Sequence, residues 1–238
     1  MSGFMYGMMI QWKMDIRSRS ILVTCYIVPL IFFLLMGGIF VSVMPEMKKT
    51  LIQSMAVMSV SMGAFIGMPP SILETYGGDV KKLYKANNVP LYVSLITMVV
   101  STFVHLVIMC GLIVLLAPGL FGAELPKNLP IFFAGLGIFL ITSLAVGSVL
   151  GLLVKNQANL TMIAQIVFLP SIMLSGIMFP QNMLPEVLQK VGEAFPAFWG
   201  YRLMSDGGMV PENIFYLAIL FCVSGVFCLL LLKKKKSD

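Results

Sequence analysis

With 238 residues, 59% of them apolar and only 11% charged, at a mean hydropathy of +0.97, the chain cannot have water as its main solvent. Its formal net charge of +6 sits in short clusters separated by long uncharged stretches, which is the pattern of a polytopic membrane protein. The basic surplus calls for no nucleic-acid partner, because basic groups at a cytoplasmic face also meet anionic lipid headgroups. Cys25, Cys110, Cys222 and Cys228 all lie in apolar runs without CxxC spacing, which points to neither disulfides nor a metal site.

Taken in chain order, residues 4–19 come first. Met5, Met8, Met9, Trp12 and Ile16 share one face of a helical wheel, with Gln11, Lys13, Arg17 and Ser18 elsewhere and Ile10 and Met14 opposite. A helix lying in the membrane interface and an irregular lead-in both fit that stripe. Lys13, Arg17 and Arg19 then precede an apolar run longer than a signal peptide's, with no small-residue cleavage pattern, so the first span is expected to stay in the mature protein. It covers 21–43, roughly 34 Å at 1.5 Å per residue, enough to cross a bilayer. Further spans are expected over 51–73, 90–116, 131–154, 160–178 and 214–232, giving an all-α membrane protein of six transmembrane helices in one domain.

The distribution of Lys and Arg sets the orientation. With the N-terminus inside, the inner segments carry 11 of the 16 basic residues against four acidic ones, a net of +7, and the outer segments a net of −1. Both ends are therefore expected in the cytoplasm.

Two connections have a character of their own. In the inner loop, ETYGGDVKKLYKANNV, residues 79–86 can form about two helical turns after Gly77-Gly78, with Asp79 at the start. A helix that short must dock on something, whereas a solvated turn whose lysines merely set topology uses the same residues. The outer segment 179–213 is too apolar for a solvated loop. Pro180, Pro185, Pro196 and Pro211 divide it, and Met183 to Phe195 can form an amphipathic helix through Leu184, Val187, Leu188 and Val191, so a re-entrant helical hairpin dipping into the outer leaflet is expected.

Chemistry-bearing motifs are missing. There is no GxxxxGK[ST] loop, no HExxH, no GxSxG and no paired carboxylates, so nucleotide must be bound elsewhere and an intramembrane enzyme is not supported. The spans hold no acidic or basic side chain to bind a coupling ion, and the sole histidine, His105, stands mid-span as a proton relay or as a side chain hydrogen-bonded to a neighbouring helix. Small residues four apart, Ser59, Gly63 and Gly67 in the second span and Ser143, Gly147 and Gly151 in the fourth, allow close helix approach within the chain or at a dimer seam. Met55, Met58 and Met62 share a helical face suited to core filling or to a malleable cavity for apolar cargo, with His105 a further candidate for its lining.

This plan resembles the type-2 ABC exporter permeases, membrane subunits whose ATP-binding subunit is a separate chain. The most specific local similarity is PSIMLSGIMFPQNMLPEVLQKVGEAFPAFWGYRLM, where Ser175, Gly176, Phe179, Pro180, Pro185 and Pro196 occupy the family's places around the outer hairpin. The inner loop is similar to the family's coupling region through Glu74, Gly77, Leu83 and Pro90, loosely spaced. The resemblance implies a multi-pass protein of a bacterial plasma membrane, two permeases (identical or homologous) with two ATPase subunits that carry ATP and Mg, and no cofactor on this chain. It implies that Glu74, Asp79, Lys81, Lys82, Leu83, Tyr84 and Lys85 contact the ATPase and that the outer hairpin gates the exit. A drug, antibiotic, peptide or lipid-like molecule suits the apolar spans as cargo. The competing reading is a secondary transporter or channel that works without an ATPase.

Overall fold

The computed structural model describes residues 3–17, 19–78, 86, 90–178, 181–205 and 209–237. Among these every regular element is a helix. Helix α1 is Gly3–Arg17, and a short turn, Arg19–Leu22, leads into α2, Val23–Val43. Next come α3 (Leu51–Gly77), α4 (Leu91–Phe121), α5 (Leu129–Leu153) and α6 (Gln157–Leu174). Two short helices, α7 (Glu186–Gly192) and α8 (Pro196–Ser205), precede α9, Pro211–Ser237. The six helices long and apolar enough to cross a membrane are α2 to α6 and α9.

Local chemistry explains where these helices begin, end and bend. Asn128 and Asn156 cap α5 and α6, their side chains accepting from Ile131 N at 3.2 Å and Asn159 N at 2.8 Å. Because of these caps both helices start two to three residues before the apolar runs. Helix α4 continues to Phe121, where Gly122 at φ 60° turns the chain out of the helix. Its 31 residues make roughly 46 Å, well beyond the ~30 Å hydrocarbon core. Helix α6 stops at Leu174, short of the expected 178, because Gly176 adopts φ 91° and starts a turn.

The apolar runs conceal two π-helical turns, Val23–Ile27 in α2 and Gly63–Gly67 in α3. Each precedes proline, Pro29 in the first case and Pro69-Pro70 in the second. A proline has no N–H and crowds the carbonyl four residues back, so Cys25, Phe65 and Ile66 lose their helical amide donors. The backbone answers with a wider turn: Val28 N donates to Val23 O and Met68 N to Gly63 O. The two π turns pack against each other.

Helix α3 is the axis of the bundle, with 94% of its most apolar window buried within the chain, against 17% for α9. It packs on α4 and α5, while α5 also holds α8 and α9. Sequence patterning does not distinguish the two, since in lipid a helix apolar all round serves equally as core or as rim.

Candidate functional site

The inner-loop residues Asp79, Lys81, Lys82, Leu83, Tyr84 and Lys85 lie outside the described residues, and Glu74 is exposed on the last turn of α3. What is described is how the loop is anchored. Tyr76, buried on the same turn, donates its hydroxyl to Leu91 O at 2.5 Å, tying the end of α3 to the start of α4. The Tyr76 ring therefore brackets the connection, a role that a tyrosine in a charged loop does not advertise.

The segment after α6 is likewise built from the backbone outward. Ser175 donates to Ile172 O at 2.9 Å, and Gln181 Nε2 donates to Ser175 O at 3.3 Å, closing the turn around Gly176. Pro185 then starts α7, and Gly192 brings its end back onto α6, since a Cβ there would lie 2.7 Å from Leu174 O. Pro196 opens α8, which sinks between α5 and α9. Within it Gly200 meets the Phe139 ring, and Trp199 stacks on Tyr216 at 4.0 Å while its Nε1 donates to Glu193 O at 2.7 Å. Phe179 and Pro180 lie outside the described residues. The helix expected over Met183 to Phe195 is confined to Glu186–Gly192, and its Val187, Leu188 and Val191 are exposed rather than packed, because α8 already fills the space in the bundle.

The two small-residue stripes do not face one another. On α5, Gly147 sits on the Ala64 carbonyl of α3, where any Cβ would overlap the oxygen, and a Cβ on Gly151 would lie 2.8 Å from Ile72 Cβ and 2.9 Å from Pro69 O. On α3, Gly63 instead accommodates Leu106 of α4, and Gly67 lies against Thr24 and Cys25 of α2. Ser59 and Ser143 are buried. All six positions thus pack within the chain. Met55, Met58 and Met62 are buried in the same core.

His105 stands in a cluster that joins α1 to the bundle. Its Nδ1 is 2.7 Å from the Tyr26 hydroxyl of α2, Trp12 of α1 stacks on its ring at 4.4 Å and 4°, and its Nε2 has no hydrogen-bond partner. One turn back along α4, Ser101 donates to Asp15 Oδ2, while Gln11 Nε2 donates to Asp15 Oδ1 at 2.8 Å. Asp15 is only 3% exposed, and burial pushes its carboxyl up from the usual carboxylate range, opposed in part by the Ser101 and Gln11 hydrogen bonds. Helix α1 therefore docks through Gln11, Trp12 and Asp15 and leaves Met9, Ile10, Met14 and Ile16 exposed. Of the expected Met5–Met8–Met9–Trp12–Ile16 face, Trp12 thus meets the bundle, while Met9 and Ile16 remain exposed. The wheel ranks side chains by hydropathy, but the surface that α4 offers here carries Ser101 and His105.

The profile of the ABC-2 type transporter family matches residues 3–207, from α1 through α8. The chain belongs to that family. Over 84 residues it is 26% identical to Inner membrane transport permease YhhJ of Escherichia coli (strain K12), covering 35% of this chain and 22% of that protein. Over 77 residues it is 35% identical to Probable multidrug ABC transporter permease YbhS of the same strain, covering 32% and 20%. The aligned stretches span about a fifth of the length of these relatives. No solved structure matches the chain significantly. The family match falls on a chain in which six of the described helices are long and apolar enough to cross a membrane.

Proposed function

We propose that the chain is the membrane-spanning permease subunit of an ATP-driven exporter of a bacterial plasma membrane, working as a dimer with two separate ATPase subunits. The observation that carries this reading is the family match over residues 3–207, on a helix set without a nucleotide-binding loop. Both ends lie in the cytoplasm, as the Lys and Arg distribution favours. An amphipathic drug, antibiotic, peptide or lipid-like molecule is the cargo, in keeping with the apolar spans and with the multidrug name of the YbhS relative.

Residues 79–86 engage the ATPase. The Tyr76–Leu91 hydrogen bond supports this, because a loop held at both ends transmits a push to α3 and α4 together instead of dissipating it in slack chain. The turn at Ser175-Gly176, the α7–α8 pair and Pro185 and Pro196 form the outer gate. The test is ATPase activity of membranes holding this chain with its nucleotide-binding partner, compared with a Leu83→Asp, Tyr84→Asp variant. Loss of the complex or of stimulated hydrolysis, with insertion intact, is expected. An unchanged complex and activity would remove 79–86 as the coupling element, and transport without any ATPase would favour the secondary-transporter reading.

A further inference from the structure

The junction of α1 with the bundle holds a carboxylate that has no charge partner among the described residues. Asp15 accepts from Gln11 and Ser101, and no described cationic side chain forms an ion pair with it. Beside it lies a cavity of about 10 Å³ lined by Asp15, Gln11, Cys25, Gly67, Ser71 and Thr102 among others. That volume admits a single water, and the carboxylate, amide and two hydroxyls on its wall are enough to hold one. Its wall includes Cys25 and Gly67 from the two π turns, which pack against each other.

An isolated carboxylate cannot remain ionised in such a place without a large free-energy cost, and it is neutralised by the smallest available cation. We propose that Asp15 is a proton-binding site that fastens α1 to the bundle: with the proton on, α1 is docked on α4; with the proton lost to water through the cavity, α1 is released. The neutral carboxyl still accepts from Gln11 and can donate its own O–H to Ser101, so both hydrogen bonds survive protonation. The ionised form keeps the same bonds but adds a buried charge, and undocking is the route by which that charge reaches water. Release would carry Trp12 off the His105 ring and expose the ring's unpartnered Nε2.

The direction of the pH response follows from the burial. A carboxyl held above its ordinary value of 3.8 by the docked state stabilises docking at low pH, and that stabilisation is lost as pH rises through the raised value. Among the described side chains, the ionisable groups around Asp15 are His105 on α4, Cys25 and Tyr26 on α2, and Lys13 and Arg17 on α1 itself, the last two exposed. From α3 the cavity wall receives Ser71, Met68 and Gly67, none of them ionisable. His105 is the protonatable ring at this junction among the described residues, so its variant is the needed control.

Trp12 reports on docking, and Trp199 is the other of the two tryptophans. The full chain is labelled with 5-fluorotryptophan in lipid nanodiscs, and the ¹⁹F signal of Trp12, assigned with Trp12→Phe, is followed from about pH 4 to about pH 9. A single transition of the Trp12 signal is expected while the Trp199 signal stays in place. Asp15→Asn should abolish it and keep the low-pH position, and His105→Gln should retain it at a lower midpoint, because the ring on which Trp12 docks is gone. Ser101→Ala removes a hydrogen bond that the docked, protonated form makes and should lower the midpoint by about half to one pH unit, a readout that stands even if Asp15→Asn fails to fold. No transition in the native chain, a transition that persists in Asp15→Asn, or one lost in His105→Gln overturns the proposal. So does a Trp12 signal that responds at fixed pH to sodium but not to choline, which would make the cavity a metal-cation site.

Discussion

Two helix contacts in this chain solve the problem of association in lipid in opposite ways. Helix α5 approaches α3 by omission: Gly147 and Gly151 have no Cβ, and the backbone of Ala64 and Pro69 occupies the room. Helix α1 approaches α4 by addition, with Trp12 laid on His105 and Asp15 held by Ser101. The first contact is backbone against backbone and contains nothing that titrates, so it is a fixed seam of the bundle. The second depends on one protonatable group and one ring stack, which leaves it open to change under mild conditions. Packing alone gives rigidity, and a buried carboxylate gives a contact that chemistry can release.

The sharpest way to break the contrast is Gly147→Val. Its side chain cannot be accommodated against the Ala64 backbone, so α5 must separate from α3, with a loss of about 3 kcal/mol or more and a sharp fall in the yield of monodisperse protein by gel filtration. If the variant purifies with native thermal stability, the α3–α5 approach is looser than described. A smaller effect is expected on the other side. Trp12→Ala removes the stack on His105 and should weaken docking by about 1 kcal/mol, seen as faster amide hydrogen exchange in α1 alone, with α3 and α5 unaffected. Exchange rising throughout the bundle would mean that α1 is part of the rigid core. The smallest effect belongs to Gly111→Ala. A Cβ there meets nothing within 4 Å, so the substitution should be neutral or stabilising by up to ~1 kcal/mol in thermal melts, and a substantial loss would place an unrecognised contact on that face of α4.

Much of the fold was legible beforehand because its causes are local. Long uncharged runs bounded by Lys, Arg or Asn mark α2 to α6 and α9, and the proline and glycine punctuation after Leu174 marks the turn and the short helices that follow. The π turns were not read, although Pro29 and Pro69-Pro70 in mid-span carried the signal. The site was less legible. Gly147 and Gly151 stood out by spacing, but only the structure shows that they pack within the chain, on Ala64, Pro69 and Ile72. His105 was singled out without a partner because Asp15 lies 90 residues away in sequence and one turn away in space, through Ser101.

The sequence by itself determined the solvent, the number of spans and the family, since hydropathy, run length and motif spacing are properties of consecutive residues. Tertiary structure alone decided which face of each helix is used. An α-helix that is apolar all round has no preferred azimuth in lipid, so its rotation is set by the shapes and polar groups of its neighbours. For that reason α3 became the axis and α9 the rim, and for the same reason α1 meets α4 through Trp12 and Asp15 while Met9, Ile10, Met14 and Ile16 stay exposed.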